Sequence, residues 1–381
     1  MTNQTVGIRS VAVDFPSILR TNDYWRENYP ELVTKAEQKA LSKLFSATNS
    51  NAKSIEFDEE MTPYLSDPFR GAVERRVLAP HESSLTLEKR VASDAITAAK
   101  MSPSDIDLMI VTSLFPERIA PGNASFLVAE MGLRCPAWNL ESTCSSALVA
   151  LQNASALVSS GQYRNVLVVI SCIYSRFVDE DDTLSWFMGD GAGAFIVGNL
   201  KPNQGVLGTK IVHTAATCGA FFNELIVDAQ GNPQMRIRTG KNASQQIRGT
   251  GVEFVRACSE AAVAEAGLTL DDIDFFAFNT PTAWYAKLCT RALGISSERT
   301  IDLYPQYGNI GPVLPIANMY YGAQSGKLKE NDLVLAYTIG SASTAAATVM
   351  RWGDVKLGPL PAPATSLNRF EKMPSLIKLV S

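Results

Sequence analysis

Residues 140–151, Leu-Glu-Ser-Thr-Cys-Ser-Ser-Ala-Leu-Val-Ala-Leu, join a short polar turn directly to an apolar helical pattern. The preceding residues 136–140 are predicted to end an extended segment, and the helical pattern continues to residue 157. Cys144 therefore lies at a strand-to-helix junction. There, unpaired backbone N–H groups and the helix dipole favour a thiolate with a lowered pKa. The same position also suits a small buried cysteine without a chemical role.

Three more segments follow Cys144 in a fixed order. They are Gly-Asp-Gly-Ala-Gly-Ala-Phe at 189–195, Tyr-Gly-Asn at 307–309 and Tyr-Thr-Ile-Gly-Ser at 337–341. With Cys144, and with Glu-Arg-Arg at 74–76, they resemble the thiolase superfamily, and within it the ketoacyl-ACP synthase III branch. The resemblance covers almost the whole chain. It implies an α/β protein with the duplicated five-layer αβαβα fold of the thiolases.

Composition agrees with a large globular protein. The chain has 381 residues, 46% of them hydrophobic and 19% charged, which suits two packed halves. A net charge of −4 argues against non-specific nucleic-acid binding. The six irregularly spaced cysteines fit a reducing compartment. Without a signal-peptide pattern or a membrane-length apolar run, we expect a soluble cytoplasmic protein with no nucleic-acid or membrane partner.

The chain is predicted to divide into residues 1–204 and 205–381. Residues 104–111 and 271–278 each give a short acidic turn and a buried strand after a helix, which indicates an internal duplication. Residues 21–69 form a polar, helix-forming stretch, longer than the matching part of a typical synthase III. It is either a cap over the substrate entrance or a surface excursion without a role.

The resemblance implies a nucleophilic cysteine, a histidine and an asparagine. Cys144 matches the nucleophile and Asn309 the asparagine, but the position expected to hold the histidine is Asn279, or Thr280 if the register slips by one. The Cys144 and Ser341 N–H groups are implied to form an oxyanion hole. Asparagine amides donate hydrogen bonds to an enolate, but they cannot act as a general base.

Neither of the chain's two histidines lies where the family histidine is expected. His81 is predicted to be a surface or capping residue, and His213 a packed or hydrogen-bonded strand residue. Glu141, three residues before Cys144, is either a buried carboxylate that acts as a base or raises the thiol pKa by repulsion, or a carboxylate held by nearby backbone donors. Asp190 is predicted to be a turn residue. No metal-ligand spacing is visible, and the glycine run at 189–193 enters a strand, so it is not a dinucleotide loop.

The favoured function is acyl transfer from an acyl carrier protein or CoA thioester to Cys144, followed by C–C bond formation in a specialised polyketide or secondary-metabolite pathway. Two alternatives are acyl transfer to a heteroatom or reactive carbon without decarboxylation, and a non-catalytic subunit of a heteromeric synthase. No bound cofactor is expected, because the thioester is the substrate. The resemblance implies a homodimer in which a loop of residues 115–126 crosses to the neighbouring subunit's pocket. It also implies a carrier-docking helix that carries Lys287 and Arg291.

Overall fold

The computed structural model describes residues 5–49, 58–116, 118–340 and 344–366. Within these ranges the strands are β1 Val6–Asp14, β2 Ile18–Thr21, β3 Glu74–Val77, β4 Leu108–Leu114, β5 Ala137–Asn139, β6 Val166–Cys172, β7 Gly191–Asn199, β8 Gly205–His213, β9 Phe221–Val227, β10 Pro233–Thr239, β11 Phe275–Phe278, β12 Leu333–Ile339, β13 Thr344–Arg351, β14 Lys356–Leu357 and β15 Thr365–Ser366.

The α-helices of the same ranges are α1 Asn22–Asn28, α2 Pro30–Asn49, α3 Asp58–Met61, α4 Ser84–Ala98, α5 Asn123–Met131, α6 Ser146–Ser159, α7 Ala243–Glu265, α8 Tyr285–Leu293, α9 Tyr304–Tyr307 and α10 Val313–Gln324. Among the described residues, no helix has the length and apolar character needed to cross a bilayer.

Two sheets repeat one topology. The larger has the order β14-β1-β7-β6-β4-β5, and the smaller has the order β11-β12-β13-β8. In the first, β1–β7 and β7–β6 are antiparallel and β6–β4 is parallel. In the second, β8–β13 and β13–β12 are antiparallel and β12–β11 is parallel. Each half therefore contributes the same four-strand unit, which confirms the predicted duplicated fold.

Apolar packing stacks these sheets into five layers. The central cluster joins inward residues of both sheets to α6 and α10, for example Leu148 and Leu314. On the outer face of the larger sheet, α4 and α5 pack through residues such as Val91 and Leu127. On the outer face of the smaller sheet, α7 and α8 pack through residues such as Val255. Helices thus cover both faces of each sheet, as an α/β architecture requires.

The predicted acidic turns occupy equivalent places in the two halves. After α4, the Ser102 N–H donates to the Asp105 carboxylate at 2.7 Å. After α7, the Thr269 N–H donates to the Asp272 carboxylate, also at 2.7 Å. Both are capping boxes that lead into a buried strand. The strand in the first half begins at residue 108, after the helical turn formed by residues 103–105.

The cap residues 21–69 are packed against the body over their first part. Tyr24, Trp25 and Val33 form a buried cluster with Phe69 and Trp186, the last of which precedes β7. The described part of this segment is therefore packed on the fold, and a role as a cap over the substrate entrance stays a prediction.

Arg75 links the cap to the loop before β7. Its guanidinium is buried, donates to the Trp186 carbonyl and to Asn22 Oδ1 at 2.9 Å, and lies 4.4 Å from the Trp25 ring centroid. Burial lowers the pKa of Arg75 to about 9. The Arg75 guanidinium donates hydrogen bonds to carbonyl and amide oxygens. It stabilises the junction because these buried acceptors would otherwise lack donors.

We expect Arg75→Ala to lower the free energy of unfolding by about 3 kcal/mol, because Asn22 and Trp186 lose their donor in a buried site. Urea unfolding followed by tryptophan fluorescence measures this change. Arg164→Ala is the matched control, since the Arg164 side chain is 83% exposed and its ion pair with Asp107 is a surface one. Similar losses in both variants would contradict the assigned role of Arg75.

Candidate active site

The turn that carries Cys144 is held by the end of β12 and the start of β13. Cys144 lies in a short 3-10 turn, Thr143–Ser145, immediately before α6. Thr143 has φ +48°, a left-handed value that is costly for a β-branched residue. Gly340 permits this arrangement, because a Cβ there would overlap Thr143 Oγ1 and approach the Ser142 carbonyl oxygen to 2.9 Å. The close approach explains why glycine occupies position 340.

Hydroxyl groups tie this turn to the neighbouring strand. Thr344 Oγ1 lies 2.7 Å from Ser142 Oγ and also bonds Ser145 Oγ. Thr338, on β12, donates from Oγ1 to the Cys144 carbonyl at 2.6 Å. The Cys144 turn of the first half is therefore fixed by residues of the second half, and no local sequence pattern reveals these contacts.

The Cys144 thiol differs from the prediction. As a whole residue Cys144 is partly exposed, but its thiol is enclosed by protein, and burial raises its pKa to about 11. A hydrogen bond with Tyr174 Oη, 3.8 Å from Sγ, opposes this rise, while the Glu141 charge adds to it. The predicted lowering of the pKa is wrong, because desolvation outweighs the effect of the helix terminus.

Asn279 is connected to the nucleophile turn. It follows β11, is fully buried and donates from Nδ2 to Thr338 Oγ1 at 3.1 Å. Thr338 in turn donates to the Cys144 carbonyl, so one hydrogen-bonded chain joins Asn279 to the cysteine. On α10, Asn318 donates to the Phe278 carbonyl at 2.7 Å and fixes the end of β11. Thr280 is buried beside Asn279.

Buried oxygen atoms are concentrated after β11. Among the described residues, Asn279 Oδ1, Thr280 Oγ1 and Thr282 Oγ1 are buried without a hydrogen-bond partner. Buried polar atoms normally have partners. This segment therefore concentrates polar atoms that the protein leaves without partners, next to the Asn279 amide.

Asn309 lies on a turn that faces the same region. Its Oδ1 accepts from the Gly311 N–H at 2.8 Å, which fixes the amide and leaves Nδ2 as the donor. Gly311 lies close to the Tyr174 hydroxyl: a Cβ at this glycine would lie 3.4 Å from Tyr174 Oη. The Tyr174 hydroxyl is thus near both Cys144 and the Asn309 turn.

The remaining carboxylates are held by backbone donors. Glu141 is exposed, and its carboxylate accepts from the Thr143 N–H. This supports the backbone-satisfied alternative, and the buried-base alternative is wrong because the side chain faces solvent. Asp190 is buried, and accepts from the Leu78 N–H and the Ser175 N–H at 2.9 Å each. As predicted, Asp190 is a structural turn residue.

The histidines are both exposed. His81 lies at the surface, as predicted. His213 ends β8 with an exposed side chain, so the packed alternative is wrong for it. In the sheet it pairs with Thr344, which places its backbone nearer to the nucleophile turn than the sequence indicates.

The predicted docking residues face the cap. Lys287 is exposed, with Nζ 6.0 Å from the Tyr64 ring centroid. Arg291 Nη1 pairs with Glu59 at 2.8 Å and with Glu60 at 2.7 Å, both on α3. Ser341 lies outside the described residues, so its oxyanion-hole role stays a prediction.

Comparisons with known proteins identify the family. Residues 138–215 match 3-oxoacyl-[acyl-carrier-protein] synthase III, and residues 263–352 match its C-terminal domain. The beta-ketoacyl-[acyl-carrier-protein] synthase III of Rhizorhabdus wittichii is 30% identical over 288 residues, which cover 74% of this chain and 88% of that protein. The chain belongs to the ketoacyl-ACP synthase III family. The synthase III of Microcystis aeruginosa is 29% identical over 297 residues, 75% of this chain and 88% of the relative.

Solved structures share the fold. The synthase III of Pseudomonas aeruginosa superposes with a TM-score of 0.74 over 92% of this chain and 99% of that chain, at 16% identity. The priming β-ketosynthase of the R1128 polyketide pathway gives 0.75 over 92% and 97%, at 19% identity. With the relatives, these likenesses make the protein an acyltransferase of the synthase III type with a thiolase-like fold.

We expect alkylation of Cys144 by iodoacetamide to rise about tenfold per pH unit from pH 7 to pH 10 without levelling, because alkylation follows the thiolate fraction and burial raises the thiol pKa to about 11. Mass spectrometry of the alkylated Cys144 peptide measures the rate, and the exposed Cys218 peptide reports reagent activity. A plateau near neutral pH would show instead a stabilised thiolate.

Proposed function

We propose that Cys144 is the residue acylated by an acyl carrier protein or CoA thioester, and that the acyl group then forms a C–C bond. The observation that carries this proposal is the convergence of three turns, those of Cys144, Asn279 and Asn309, joined through Thr338, Tyr174 and Gly311. A nucleophile and fixed amide donors in one place suit acyl transfer followed by attack of an enolate.

The second half-reaction is proposed to be decarboxylative. Loss of CO₂ from a malonyl-type thioester leaves an enolate without any proton being removed, so no general base is needed. Asn309 Nδ2 is left as a donor for the developing enolate oxygen. Asn279 Nδ2 gives one N–H to Thr338, and its second N–H is proposed to serve the same oxygen. Transfer to an alcohol or amine requires a base, and neither asparagine can supply one. An acidic acceptor, such as a thiol or a 1,3-dicarbonyl carbon, remains the alternative.

A specialised pathway is part of the proposal. Two features support it: asparagine at the position matched to the family histidine, and the long cap at 21–69, packed on the body through Trp25 and Arg75. The fold shared with a polyketide priming ketosynthase agrees with it. A non-catalytic subunit is the third candidate, but the ordered environment of Cys144 favours catalysis.

The partner proposals follow the family. We infer an acidic carrier protein or CoA as donor, with Lys287 and Arg291 on the docking helix α8. Arg291 already pairs with Glu59 and Glu60, so docking there requires these pairs to open. A homodimer, and a division at residues 204/205, are proposed on the same resemblance.

Incubation with acyl-CoA or acyl-carrier thioesters is expected to add one acyl mass to the wild-type protein and none to Cys144→Ala, because the adduct forms on that sulfur. Intact-protein mass spectrometry measures it. Cys218→Ala, which removes an exposed cysteine, is the matched control and is expected to acylate normally. An adduct of equal yield on Cys144→Ala would overturn the assignment of the nucleophile.

Asn309→Asp is expected to slow decarboxylation of a malonyl thioester by about 10²–10³-fold. The change keeps an oxygen to accept from the Gly311 N–H but removes the Nδ2 donor. Acylation of Cys144 is expected to change far less. Release of labelled CO₂ and the intact mass measure the two steps separately. Asn153→Asp, at an exposed position of α6, is the control. Equal losses in both steps would refute a role specific to the enolate.

A further inference from the structure

Tyr174 places a phenol hydroxyl against the nucleophile. Its Oη lies 3.8 Å from Cys144 Sγ, within hydrogen-bonding reach for sulfur. The residue follows the end of β6 and is only 4% exposed. A buried hydroxyl requires a partner inside the protein. None of the sequence motifs includes this tyrosine, and the mechanism above gives it no part.

The position of the hydroxyl is fixed before any substrate binds. The Tyr174 carbonyl accepts from the Val178 N–H at 3.1 Å, and the next residue, Ser175, donates its N–H to the Asp190 carboxylate at 2.9 Å. The Phe115 ring packs on the phenol ring with centroids 5.2 Å apart. Backbone and ring are both held, so donation from Oη costs little reorganisation.

The charge on Cys144 determines the direction of this hydrogen bond. The Cys172 thiol is a further neighbour of the same hydroxyl, since a Cβ at Gly311 would lie 2.8 Å from Cys172 Sγ and 3.4 Å from Tyr174 Oη. Burial raises the pKa of Tyr174 well above 10 and that of Cys172 well above 9, so both groups are protonated at neutral pH. A Cys144 thiolate has no proton to donate. In that state the tyrosine is necessarily the donor to Cys144.

We propose that Tyr174 is a catalytic residue of this enzyme, donating its phenol O–H to Cys144 Sγ whenever that sulfur carries negative charge. The inference rests on the proposed acylation of Cys144. In the condensation step, the enolate carbon attacks the acyl carbonyl and forms the C–C bond. The C–S bond then breaks, and its electron pair goes to Sγ. Tyr174 keeps its proton and stabilises the departing thiolate by the hydrogen bond.

The same hydrogen bond assists loading. An attacking thiolate must first exist at a sulfur whose pKa burial raises to about 11. Because no histidine lies in the described site to pair with it, the Tyr174 hydroxyl is the side-chain donor that offsets part of this desolvation. A hydrogen bond to a charged group changes an equilibrium by about 10- to 100-fold.

Tyr174→Phe tests the proposal, since it removes Oη and keeps the ring that packs on Phe115. Alkylation of the Cys144 peptide by iodoacetamide is expected to slow by about 10- to 100-fold between pH 7 and pH 10, and acylation of Cys144 to slow with it. The matched control is Tyr320→Phe on α10, which loses a hydroxyl bonded to the Pro359 carbonyl at 2.8 Å. Its rates are expected to stay at the wild-type level, and thermal unfolding checks that both variants are folded.

Alkylation needs no acyl donor, so it separates this proposal from the proposed function. Wild-type alkylation rates in Tyr174→Phe would overturn the role of the hydroxyl, even if acylation had fallen, since that fall would then come from altered pocket packing. Slower alkylation in a protein that never forms an acyl adduct would support the Tyr174–Cys144 hydrogen bond while refuting the acylation on which the catalytic role rests.

Discussion

The close approach of Gly340 to Thr143 is the constraint on which the site depends. It brings the end of a strand from the second half onto the nucleophile turn of the first half. The Thr338 hydroxyl then reaches the Cys144 carbonyl, and the Thr344 hydroxyl reaches the serines on either side of the cysteine. A side chain at position 340 would separate these groups. The left-handed φ of Thr143 is tolerated because the surrounding contacts hold the turn in this conformation.

Duplication explains why the functional turns meet. In both halves a central helix precedes the middle strand of the shared unit, α6 before β6 and α10 before β12. Cys144 lies just before α6, and Asn309 lies just before α10. Equivalent loops of two similar halves thus present a cysteine in one case and an asparagine in the other. The proposed chemistry assigns different roles to these two residues at the starts of equivalent helices.

The sequence was informative where local patterns decide the outcome. The polar turn before an apolar helix located Cys144, the order of the motifs predicted the fold, and the repeated acidic turns predicted the duplication. It failed where packing between distant segments decides. The raised pKa of the Cys144 thiol depends on how the chain encloses it. Tyr174, two residues beyond a strand, has no local sequence signature.

The paired carboxylates on α3 alter what an acidic carrier protein meets at this surface. Arg291 already has Glu59 and Glu60 as counter-ions, and the Glu60 side chain is only 9% exposed. A carrier that binds this guanidinium exchanges one carboxylate contact for another, so the net electrostatic gain is small. The exchange frees α3 from α8 at the same time. Higher ionic strength is expected to weaken both the Arg291 pairs with α3 and the proposed contact with a carrier protein, so charge alone gives this surface little preference between the two.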